Sequence, residues 1–142
     1  MNTVEDESGR RFLLVKRSAD SWLVRDPSTG AESYRDAAEL TIVEDASALE
    51  TASEGIDPAV RRLLTAVHSE RILGLVVTIV DRDAVAVREL LDTTTLCESD
   101  LHGAIAELVA AGLLAETTVA GERGYEATEL AASAVEQLRS EE

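Results

Sequence analysis

The sequence predicts an α+β protein in which a small N-terminal antiparallel β-sheet element precedes a mainly helical second half. Three observations predict it. Residues 11–43 carry short apolar runs divided by turn signals. From residue 57 onward, apolar residues recur three and four apart in successive segments. Between the last two of these segments, Ala111-Gly112-Leu113-Leu114 leads into two alternating runs closed by Ala120-Gly121-Glu122-Arg123-Gly124, the pattern of a hairpin. With 142 residues, 45% of them hydrophobic, the chain can bury a core as one medium domain or two small ones.

Taken in order, residues 1–10 read as a disordered acidic tail, and residues 11–43 as a small β-meander. Arg11–Lys16 and Ser21–Asp26 are the first two strands, and Pro27-Ser28-Thr29-Gly30 is a turn with Pro second and Gly fourth. Further strands are predicted at 31–35 and 40–43. Phe12, Leu14, Trp22 and Val24 share one face, and Leu13, Val15 and Leu23 the other. Two apolar faces imply a curled sheet, or a sheet covered by the rest of the protein or by a second subunit. Residues 44–56, rich in Ala, Ser, Thr and Glu, read as a linker.

Residues 57–142 form the predicted second domain. Asp57-Pro58 supplies an N-cap and a first helical residue for Val60, Leu63, Leu64 and Val67. Ser69 caps a second helix with Ile72, Leu75, Val76 and Ile79 inward. A short strand at 85–87 and a short helix at 88–92 lead to the turn Thr93-Thr94-Thr95-Leu96. A third helix of the motif starts near Cys97 and buries Leu101, Ala104, Ile105 and Leu108, with Gly112 suited to the left-handed position after it. The hairpin runs over 113–119 and 124–128, with Gly121 and Gly124 supplying the turn conformations. The last helix carries Leu130, Ala134, Val135 and Leu138 on one side.

Helix, turn, helix, Ala-Gly-Leu and hairpin in this order resemble the winged helix-turn-helix superfamily of PadR, ArsR and MarR kinds. The match covers residues 69–139. Leu96-Cys97-Glu98-Ser99-Asp100-Leu101-His102-Gly103 with Val119-Ala120-Gly121-Glu122-Arg123-Gly124-Tyr125 also resembles an uncharacterised haloarchaeal winged-helix protein family. The fold implied is a small N-terminal antiparallel sheet followed by a C-terminal winged helix-turn-helix. The function implied is transcription regulation by binding double-stranded DNA as a homodimer.

In relatives of this kind, exposed positions of the third helix meet base edges and phosphates. Carried over, those positions are Cys97, Glu98, Ser99, Asp100, His102, Gly103 and Ala106, of which Ser99 and His102 can donate hydrogen bonds. The helix carries no Lys or Arg, so the DNA-binding candidates extend to Arg123 and Tyr125 on the wing and to Arg82 and Arg88. Each has a bland counterpart. Glu98 and Asp100 suit the positive end of a helix, Arg88 with Glu89 suits a surface charge network, Arg123 suits an ordinary hairpin charge, and Trp22 and Tyr34 suit a core. Cys97 sits where a thiol is activated, yet two acids beside it oppose the thiolate.

The formal charge is −15, from 28 acidic and 13 basic residues, with Lys16 the single lysine. In dilute buffer this repels nucleic acid and anionic membranes. The same balance resembles the proteins of salt-in halophiles, in whose molar salt the Debye length is about 3 Å. One cysteine excludes an intrachain disulfide and a cysteine zinc cluster. Neither a signal peptide nor a bilayer-spanning run is present, which predicts a cytoplasmic location without membrane contact. Phosphate loops, nucleophile elbows and metalloprotease motifs are missing, so an enzyme, a cofactor and a metal are not expected. The alternative to DNA binding is a protein–protein adaptor using the winged helix and the β-sheet. That reading predicts dispersed arginines and an uncovered apolar patch near Trp22 or the third helix.

Overall fold

The computed structural model describes residues 1–139, and the chain divides into two compact units between Asp57 and Pro58. The first unit is an antiparallel sheet of β1 (Asn2–Glu5), β2 (Arg11–Lys16), β3 (Ser21–Arg25), β4 (Glu32–Asp36) and β5 (Thr41–Val43), in the order β4-β3-β2-β1-β5. Residues 1–10 are therefore not a disordered tail. Strand β1 lies inside the sheet, with Val4 opposite Phe12 on one side and Ile42 on the other. Val4 is fully buried with Phe12, Leu14, Val24 and Leu40. The acids that suggested a tail instead build the β1–β2 turn. Asp6 Oδ1 accepts from the Ser8 hydroxyl at 2.7 Å, the Ser8 amide at 2.9 Å and the Arg10 amide at 3.0 Å. The Ser8 hydroxyl foremost, then the backbone donors and Arg35, hold the Asp6 carboxyl below its ordinary pKa.

The second face of the sheet is covered from within the same unit. Thr3 and Leu13 are opposite one another in register and both buried. Over this face packs α1 (Ala48–Ser53), whose buried Thr51 Oγ1 lies 2.7 Å from Thr3 Oγ1. The expected linker at 44–56 is thus partly helical. Its local cause is Ser47, whose hydroxyl accepts from the Glu50 amide at 3.2 Å and starts the helix. Gly55 closes the segment where a Cβ would stand 2.0 Å from the Pro27 carbonyl oxygen, so only glycine fits. Val15 does not join the second apolar face: a register shift between Leu14 and Lys16 leaves it exposed.

The second unit begins with α2 (Pro58–Ala66) and α3 (Glu70–Arg82), followed by β6 (Ala84–Ala86), α4 (Val87–Thr93) and α5 (Glu98–Ala110). Strands β7 (Leu114–Val119) and β8 (Glu122–Ala127) form the hairpin, and α6 (Glu129–Arg139) ends the described chain. Of the expected 57–142 span, residues 140–142 lie outside the described residues. Ser69 caps α3 by accepting from the Ile72 amide at 3.2 Å, and Leu75, Val76 and Ile79 face inward. Leu101, Ile105 and Leu108 of α5 join them with Leu63, Leu90, Leu113 and Ala134 in one core. At about 1.5–3 kcal/mol per fully buried large side chain, this face holds α5 in place.

The sheet order is β6-β8-β7, so the short strand after α3 pairs with the second strand of the hairpin, which lies at the centre of the sheet. The hairpin turn is made by Ala120 at φ 52° and Gly121 at φ 81°. Gly124 is not a turn residue, as the sequence suggested. It lies within β8 opposite Ala86, where a Cβ would meet the Val85 carbonyl oxygen at 2.7 Å, so its lack of a side chain lets β6 approach. Helix α6 packs on α2 and α3 and is tied by Arg139, which donates to both Asp81 carboxylate oxygens at 2.9 and 3.0 Å.

Candidate nucleic-acid interface

Helix α5 starts at Cys97, whose Sγ accepts from the Asp100 amide at 3.5 Å. The thiol, set among the sequence candidates for readout, is therefore a cap. With Leu101, Ile105 and Leu108 buried, the helix exposes Glu98, Ser99, Asp100, Gly103, Ala106 and Glu107, with His102 half-buried. His102 Nε2 lies 3.7 Å from the Glu98 carboxylate, one turn earlier. Ser99 Oγ is 3.4 Å from the Cys97 sulfur. The face is acidic, and its two hydrogen-bond donors each have a local partner.

The arginines form a different arrangement. Arg82, at the end of α3, pairs with Glu89 of α4. Arg88, the chain neighbour of Glu89, lies 3.7 Å from Glu122 on β8. Arg123, the chain neighbour of Glu122, lies 2.8 Å from Glu116 on β7 and donates to the Tyr125 hydroxyl at 2.8 Å. Arg82, Arg88 and Arg123 thus each pair with one glutamate, in three separate ion pairs on α3, α4 and the hairpin. Among the described residues no ion pair joins Arg82, Arg88 or Arg123 to Ser99 or His102.

Tyr125 is not an available contact residue. It is 5% exposed, part of the core, and its hydroxyl reaches out only to anchor Arg123. That hydroxyl first, and the Glu116 carboxylate next, hold the Arg123 guanidinium above its already high ordinary pKa, so it stays charged. Exposed ion pairs of this kind contribute about 0–1 kcal/mol. A guanidinium can therefore exchange a glutamate for a phosphate at little cost. Arg62 is committed elsewhere, donating to the Ala111 carbonyl at the end of α5 at 2.8 Å.

Sequence reasoning named the arginines but not Glu89, Glu116 and Glu122, the acids that set their positions. The signal for Glu116 lies in the hairpin. Once Ala120 and Gly121 fix a two-residue turn, Thr118 falls opposite Arg123 and Glu116 is the diagonal same-face neighbour. The apolar patch is also elsewhere. Trp22 is half-buried, donates to the Ser18 carbonyl at 3.1 Å and carries Arg17 over its ring at 4.9 Å. Exposed Leu64, Leu73 and Leu138 instead line a groove of about 320 Å³ between α2, α3 and α6. Tyr34, expected to be core, is exposed.

Among the described residues, no group of three His, Cys, Asp or Glu side chains is gathered as a metal site. No helix among them is long and apolar enough to cross a membrane. No curated protein and no solved structure matches the chain. One family profile matches residues 1–139, across both units, and by that match the chain belongs to DUF7346, a family of unknown function.

Proposed function

We propose that the second unit is a winged helix-turn-helix and that the protein is a DNA-binding transcriptional regulator adapted to high salt. The observation that carries this reading is the element order helix, helix, strand, helix, helix, hairpin, helix, with the short strand β6 paired to the second hairpin strand, β8. In this reading α5 is the recognition helix and the β7–β8 hairpin is the wing. Arg82, Arg88 and Arg123 deliver the phosphate contacts by leaving Glu89, Glu122 and Glu116 for the duplex. Ser99 and His102 supply the few donors that α5 can offer to base edges. Affinity then resides mainly in the wing and its neighbours. A homodimer placing two such units on one site gives the length of contact that one acidic helix cannot.

The test is a gel shift in molar KCl with the full chain and genomic fragments. Arg123→Ala is expected to weaken the retarded complex about tenfold, the loss of one charge-assisted contact. Absence of any complex with the wild-type chain, together with purification of a stable protein partner from cells, overturns the reading.

A second reading, a protein–protein adaptor, is favoured by the acidic exposed face of α5 and by the groove of Leu64, Leu73 and Leu138. It predicts that Leu73→Glu abolishes partner capture while leaving any DNA complex intact. The regulator reading ranks first because the element order carries it and Arg82, Arg88 and Arg123 are held in exposed ion pairs that a phosphate can replace.

A further inference from the structure

Arg71, on α3, belongs to none of these three arginine–glutamate pairs. Its contact is with a hydroxyl: Nη2 donates to Thr95 Oγ1 at 3.5 Å, across to the turn between α4 and α5. The two residues line an open cavity of about 330 Å³ with Gly74, Leu75 and Leu96. No carboxylate lines it, although the chain carries 28 acidic residues. The preceding residue, Glu70, lines the separate groove beside Leu73.

The hydroxyls around the cavity are not equivalent. Thr78 donates to the Gly74 carbonyl at 2.7 Å, Thr93 to Glu89 at 2.8 Å and Thr94 to Leu90 at 2.8 Å, so their protons are committed to the helix backbone. Thr95 accepts from Arg71 and keeps its own proton for another acceptor. A guanidinium with four further N–H donors and one hydroxyl proton thus belong to a cavity lined otherwise by Gly74, Leu75, Leu96, Thr78, Thr93 and Thr94. The guanidinium carries a fixed positive charge that no carboxylate of the lining balances, and it asks for an anionic ligand group.

We propose that Arg71 and Thr95 form an oxyanion site, which takes a phosphate or carboxylate group in the guanidinium fork with Thr95 Oγ1 as the second donor. The oxyanion has two possible sources, a phosphodiester of a nucleic-acid backbone and a free small anion. The site stands on its own geometry and does not rest on the DNA reading. No bond is made or broken.

The experiment is amide and guanidinium NMR of the full 15N-labelled chain in KCl at constant ionic strength, titrated with inorganic phosphate and, separately, with a 16-base-pair duplex. Saturable shifts confined to Arg71 Nε and the amides of Thr93 to Leu96 are expected with at least one probe. Arg71→Gln is expected to weaken that binding about tenfold or more. Gly74→Leu provides a control that keeps Arg71. A Cβ at Gly74 meets nothing within 4 Å, so the helix accepts the side chain while it fills the cavity, and binding is expected to fall as well. Phosphate that competes with the duplex identifies the backbone source, and phosphate binding without duplex binding identifies a free anion. The second result counts against DNA binding and leaves the oxyanion site standing. No saturable shift from either probe, or equal affinity in wild type and Arg71→Gln, overturns the proposal.

Discussion

Arg123 is held from two sides, by the hydroxyl of a buried tyrosine and by a glutamate on the opposite strand, and this decides what its removal should do. Its side chain is exposed, so Arg123→Ala should change folding stability by less than about 1 kcal/mol. The same change should lower the slope of log binding against log salt by about one unit if Arg123 meets phosphate. Urea unfolding and binding at several KCl concentrations measure the two effects, and equal salt slopes would remove Arg123 from the interface. The hydroxyl pair Thr3–Thr51 supports the opposite kind of prediction, because both groups are buried. Thr51→Val leaves the Thr3 hydroxyl without a partner and should cost about 1–3 kcal/mol. The double variant Thr3→Val/Thr51→Val, in which no orphaned hydroxyl remains, should recover most of that loss. A double variant as unstable as the sum of the singles would show that packing, not the hydroxyl pair, sets the cost. Caps such as Ser69, and Gly112 at φ 83°, were legible in the sequence because each acts on its own chain neighbours. The pairing of Arg123 with Glu116 was not, since it depends on strand register, and the burial of Tyr125 depends on what packs over it.

Among the elements, β1 and α1 escaped the sequence reading for the same physical reason: each is stabilised by neighbours rather than by its own pattern. Strand β1 offers one large apolar residue, Val4, yet it is hydrogen-bonded on both edges. Helix α1 exposes its single large apolar residue, Leu49, and buries Thr51 instead. Helices α2, α3, α5 and α6 were readable because three or more inward residues recur at helical spacing in each. The close pairing of β6 with β8 depends on Gly124. Gly124→Ala places a methyl group against the Val85 carbonyl oxygen and Val119, which should destabilise the second unit by about 1–3 kcal/mol in a denaturant titration. A neutral result would mean that β6 can shift without cost. The tie between α3 and α6 should be visible in pH dependence. The hydrogen bonds from Arg139 foremost, and its charge next, depress the Asp81 pKa below its ordinary 3.8. A depressed carboxylate stabilises the fold above its unfolded-state pKa, and the contribution is lost as pH falls through the folded value. Asp81→Asn should therefore be less stable than wild type at pH 7, with the difference vanishing as acid is added below the ordinary value. A difference that persists undiminished in acid would contradict the assignment.

For the whole molecule, the charge of −15 is the dominant constraint, and both units share it. Self-repulsion opposes compaction in dilute buffer and is screened once the Debye length falls from about 10 Å to about 3 Å. Thermal unfolding followed by circular dichroism should show a higher midpoint in molar KCl than at 0.1 M, and an unchanged midpoint would speak against a salt-adapted chain. The same screening decides whether so acidic a protein can approach DNA at all, which places the regulator reading on a single measurement. Selection of duplexes from a random library by the full chain, carried out in molar KCl, should enrich one sequence motif, with Arg123→Ala retaining it at reduced yield. Recovery of no enriched motif at any salt concentration at which the chain is folded would contradict DNA binding by the second unit.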